Sequence, residues 1–116
     1  MTVRTERTGE VTVVTVDAKT LDAGNVREFK NHIAPLIGEK VNMVLDLEAV
    51  DFVDSSGLGA ILSCYRKLTS ADGDLMLCAM SKEVRILFEL VRMHRIVEIY
   101  NSRDEAIRAF KHASVS

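Results

Sequence analysis

Two short stretches, VNMVLDL at 41–47 and LMLCAM at 75–80, are almost continuously apolar. A strand that is apolar on both faces must be covered on both faces, as a central strand of a parallel sheet is. Between them Leu58, Ile61, Leu62, Tyr65 and Leu68 recur at helical spacing and form one apolar stripe. Strand, helix, strand in that order implies a parallel crossover. The fold class is therefore α/β.

The flanks extend the pattern. Residues 3–17 hold two β-rich runs around a Gly9-Glu10 turn signal, which reads as an amino-terminal hairpin. From Asp22 the period becomes helical through Val26, Phe29, Ile33 and Leu36 or Ile37, with Asp22 the expected N-cap. Pro35 removes a backbone donor, so a kink or early end is expected there, with Gly38 a plausible stop. ADGD at 71–74 is turn chemistry. Ser81 should cap a helix whose Val84, Leu87, Phe88 and Val91 face inward, and IVEIY at 96–100 is a last strand. Ser102 to Glu105 form a capping box, in which Glu105 can reach back to the Ser102 amide. Ala106, Ile107, Phe110 and Ala113 continue that last helix. The expected order is β-β-α-β-α-β-α-β-α, a mixed, mostly parallel sheet with helices in a single domain spanning 1–116.

The 116 residues carry a net charge of −2, so no basic excess points to nucleic acid. Lys82, Arg85, Arg92 and Arg95 read as a solvated helix face. Cys64 and Cys78 have no metal or redox spacing and sit in apolar patterns, as free buried thiols in a reduced, cytoplasmic protein would. No stretch is long enough to span a bilayer and the amino terminus has no apolar leader segment, so no membrane association is expected.

Chemistry concentrates where the run VDFV ends in Asp54-Ser55-Ser56-Gly57 and the helical stripe begins at Leu58. A helix amino terminus at the carboxyl edge of a sheet offers free amides and a positive dipole end, which favour an anion such as phosphate. Gly57 and Gly59 would let another molecule approach closely. A plain helix cap explains the same residues equally well, since Asp and Ser are preferred N-caps. No phosphate-binding loop and no nucleophile elbow is present, and His32, His94 and His112 lack the context of a catalytic base. Asp46, Glu48, Asp51 and Asp54 lack the spacing of a calcium loop. Neither a hydrolase nor a metal enzyme is indicated.

The segment LDLEAVDFVDSSGLGAILSCYRKL resembles the signature of bacterial anti-sigma factor antagonists, members of the STAS domain superfamily. LDAGNVREFKNHI resembles the first family helix, GDLMLCAMSKEVRILFEL the strand and helix after the signature, and IVEIYNSRDEAIRAF the last strand and helix. The resemblance implies a partner switch rather than an enzyme. Ser55 corresponds to the serine phosphorylated by an anti-sigma factor that is also a serine protein kinase. That kinase supplies the ATP and magnesium, so this chain needs no cofactor of its own. The unphosphorylated form binds the anti-sigma factor and frees the sigma factor, and a serine/threonine-type phosphatase resets the switch. Asp54, Ser55, Ser56, Gly57, Leu58 and Gly59 would form the partner-binding segment, with Ser56 as N-cap and Ser55 as phosphate acceptor. An alternative is a STAS interaction module of another signalling or transport assembly. The family's glycine after the third helix is missing from LVRMHRI, which has Arg92. A monomer is expected, although a sheet edge or the carboxyl-terminal helix could pair.

Overall fold

A computed structural model describes residues 1–115, with side chains through Lys111. The hairpin forms as expected: β1 (Thr2–Thr8) pairs antiparallel with β2 (Val11–Asp17) across Gly9-Glu10. Beyond it come β4 (Asn42–Asp46), β6 (Asp74–Cys78) and β7 (Glu98–Tyr100), each parallel to its neighbour. The sheet order is β1-β2-β4-β6-β7, so the two continuously apolar runs lie centrally.

Helices α1 (Val26–Ile33), α2 (Ser55–Ser70), α3 (Lys82–Leu90) and α4 (Arg103–Val115) cover the sheet. Alternation along β2 shows the two layers. Val14 and Val16 join a large core with Phe29, Ile61, Leu68 and Phe88, beneath α1, α2 and α3. Val11 and Val13 face a smaller core with Val44, Met76, Ala106, Ile107 and Phe110, beneath α4. Cys64 and Cys78 are free and belong to opposite cores, so they are not placed to pair. Burial pushes the Cys64 thiol up to about 11; burial, with Asp46 nearby, pushes Cys78 up to about 12.

Several expectations change. A second, two-stranded parallel sheet joins β3 (Thr20–Leu21) to β5 (Phe52–Val53), and two residues are too few to show a period. Asp22 does not cap α1. Asn25 is the boundary residue, and the Asp22 carboxylate instead accepts from the Gly24 amide at 2.8 Å. Pro35 ends α1 as expected, at a 3-10 turn over Ala34–Leu36, ahead of Gly38. Ser81 Oγ accepts from the Val84 amide at 3.2 Å, and Ser102 Oγ from the Glu105 amide at 3.2 Å. The reciprocal bond of the expected capping box, from the Ser102 amide to the Glu105 side chain, is not formed. Val91 is 49% exposed, because α3 ends at Leu90 and Arg92 turns left-handed at φ 62°. The side chains of Ala113 and His112 lie outside the described residues.

Candidate functional site

The short β3–β5 pair builds the site. Leu21 lies beside Val53, and the Asp54 amide donates to the Leu21 carbonyl at 3.3 Å. Helix α2 then starts at Ser55, three residues earlier than its apolar stripe suggested. Asp54 is extended (φ −98°, ψ −174°) and is the N-cap: its Oδ1 accepts from the Gly57 amide at 2.9 Å. Ser56 therefore does not have the capping role expected of it. An aspartate at this position already satisfies the first-turn donor, and its charge suits the positive helix end.

The second carboxylate oxygen reaches further. Asp54 Oδ2 accepts from the Ala23 amide at 3.0 Å, joining the turn before α1 to the start of α2. That turn is itself bonded, with the Asp22 amide donating to Asn25 Oδ1 at 2.9 Å and Asn25 Nδ2 to the Thr20 carbonyl at 2.7 Å. The Gly57 amide, followed by that of Ala23, holds the Asp54 carboxyl below its ordinary value despite some desolvation. Asp54 is thus an ionised, fixed anion at the helix end.

Gly57 has an internal reason to be glycine. It is buried, and a Cβ there would lie 2.3 Å from the Leu21 carbonyl oxygen and 2.8 Å from Val53 Cγ1. Close approach is between parts of this chain, whereas sequence suggested approach by another molecule. Gly59 differs: it is exposed, with nothing within 4 Å of a built Cβ. Leu58 is half-buried and packs on the main core, and Ser56 is half-buried. Ser55 is exposed, and no group among the described residues hydrogen-bonds its hydroxyl.

Sequence reasoning missed three exposed apolar side chains. Phe52 on β5 is 53% exposed; on α3, which packs against β5, Ile86 is half exposed and Leu90 is 75% exposed. The signal was available, since apolar residues at 84, 86, 87, 88, 90 and 91 are more than one helix stripe can bury. The four acids of 46–54 do not converge. Asp46 is buried and bonded to Arg103, Glu48 and Asp51 are exposed, and Asp54 caps α2. No cluster that could hold a metal occurs among the described residues. His32 and His94 are exposed. No helix of the described residues is long and apolar enough to cross a membrane.

Comparison with known proteins agrees with this architecture. The STAS domain family matches residues 2–106. The chain belongs to the STAS family. Among its relatives is BtrV of Bordetella bronchiseptica, provisionally named an anti-sigma factor antagonist. It is 33% identical over 95 residues, covering 80% of this chain and 81% of BtrV. A crystal structure of an anti-sigma factor antagonist from Mycobacterium paratuberculosis superimposes with a TM-score of 0.83 at 26% identity, over 93% of this STAS chain and 92% of that one. The anti-sigma factor antagonist SpoIIAA in its unphosphorylated form shares the fold, with a TM-score of 0.75 at 23% identity, over 96% of this chain and 97% of that one.

Proposed function

We propose that this STAS domain is an anti-sigma factor antagonist in a phosphorylation-controlled partner switch, with Ser55 as the phosphate acceptor. One observation carries the reading: Ser55 is exposed, its hydroxyl bonded by no described residue, beside the fixed Asp54 anion and on a strand-to-helix corner held by hydrogen bonds. A kinase can engage that hydroxyl without breaking any bond of the fold. The kinase brings ATP and magnesium, and this chain is substrate and ligand rather than catalyst.

In the unphosphorylated state the Ser55 corner, Gly59 and the exposed Phe52 form the docking surface for an anti-sigma factor that is also the serine kinase. Phosphorylation adds about −1.5 to −2 charges there. The amides of Gly57 and Ala23, which could have received a phosphate, already serve Asp54. The new charge therefore meets the Asp54 carboxylate rather than those two donors. A penalty of about 3 kcal/mol at the interface would weaken binding more than a hundredfold, because about 1.4 kcal/mol is a factor of ten. The switch requires no change of fold. A serine/threonine-type phosphatase would restore binding, in the cytoplasm where sigma factors work.

The test is incubation with the cognate kinase and ATP, followed by peptide mapping. Label on Ser55, abolished in Ser55→Ala, supports the reading. Label on Ser56, or undiminished labelling of Ser55→Ala, overturns the site.

A further inference from the structure

Strand β1 forms one edge of the five-stranded sheet, and six of its seven residues are exposed. Its main neighbour is β2, while α4 packs over β4, β6 and β7. TVRTERT contains no proline, so nothing in its backbone prevents another strand from pairing there.

The hairpin determines which groups face outward. Thr8 and Val11 close a two-residue turn with Gly9 at φ 63°, which makes them a mutually hydrogen-bonded pair. Pairs alternate from there, so Thr8, Glu6, Arg4 and Thr2 bond towards β2. Val3, Thr5 and Arg7 therefore present their amides and carbonyls to the free edge.

A second copy of this strand, pairing antiparallel about a two-fold axis, must place these outward residues opposite one another. An axis at Arg4 sets arginine against arginine, and one at Glu6 sets glutamate against glutamate. An axis at Thr5 sets Arg4 of each copy against Glu6 of the other, twice. It also uses all three outward residues. Arg4 and Glu6 then occupy the pairs without direct hydrogen bonds, where facing side chains are closest. Arg4 has no ion pair among the described residues; Glu6 touches Arg103 yet keeps a side chain that is 59% exposed.

We propose that β1 is a self-recognition edge, joining two copies antiparallel about Thr5 into one continuous ten-stranded sheet. This departs from the monomer expected from the sequence. One strand buries little area, so the dimer is weak and dissociates on dilution.

Sedimentation equilibrium of the full chain from micromolar to millimolar concentration tests it. The wild type should dimerise reversibly, less so at high salt. Arg4→Glu, which disturbs no ion pair among the described residues, should dimerise at least about tenfold more weakly. The double variant Arg4→Glu/Glu6→Arg should recover association, as should an equimolar mixture of the two single variants. A wild type that stays monomeric at millimolar concentration, or an Arg4→Glu variant that associates as well as wild type, overturns the proposal. Failure of both restoring combinations overturns the Thr5 register.

Discussion

Asp54 performs two tasks with one carboxylate, capping α2 through Gly57 and holding the turn at Ala23. Asp54→Ala should destabilise the fold, the usual effect of losing an N-cap, seen as a lowered urea denaturation midpoint. The lowered pKa sets the pH dependence. A carboxyl more acidic when folded than its ordinary 3.8 stabilises above the unfolded value, and that stabilisation fades as pH falls through the folded one. The wild-type advantage over Asp54→Ala should thus be constant near neutrality and shrink below about pH 4. From sequence the handover at Asp54-Ser55-Ser56-Gly57 was legible, but its division of labour was not. Aspartate and serine are comparable caps, and only the start of α2 at Ser55 decides between them. The Ala23 bond spans 31 positions, and no local pattern reports a contact of that range.

Among the elements, α3 keeps its stop although the usual stop residue is absent. Arg92 sits at φ 62°, ψ 26°, a conformation that glycine adopts freely. The segment lacks the glycine of the family it resembles, and the backbone makes the glycine-like turn without it. A left-handed non-glycine residue costs about 1–2 kcal/mol, and glycine's extra freedom in the unfolded chain takes back about half of the relief. Arg92→Gly should therefore stabilise the protein by about 0.5–1 kcal/mol, seen as a raised denaturation midpoint. The hairpin, the central strands and the Pro35 break were all legible because each has a strong local cause. The β3–β5 pair was not, since its two strands are defined by each other rather than by their own residues. The inward assignment of Val91 failed for a related reason, because the helix ends one residue before it.

Across the whole molecule, Arg103 at the start of α4 ties the layers together. Its guanidinium bonds Asp46 on β4 at 2.9 Å and Thr15 on β2 at 2.9 Å, and also reaches Glu6 on β1. Asp46 is only 3% exposed, so removing the arginine leaves a buried carboxylate without its counter-charge. Since Arg103 itself remains partly exposed, Arg103→Met should cost about 1.5–3 kcal/mol rather than the larger penalty of a fully buried pair, measured by chemical denaturation. Sequence showed a capping segment at 102–105 but not this clasp, whose partners lie 57, 88 and 97 positions away. The scaffold it stabilises carries the Ser55 corner as a fixed surface, and in the proposed switch added charge there acts through docking rather than refolding.

The most direct test of that account is the affinity of the chain for the proposed anti-sigma kinase, measured by titration calorimetry for wild type, Ser55→Ala and Ser55-phosphorylated protein. Wild type and Ser55→Ala should bind alike, and the phosphorylated form more than a hundredfold more weakly, for an interfacial penalty of about 3 kcal/mol. Phosphorylated protein that bound as tightly as wild type would contradict it.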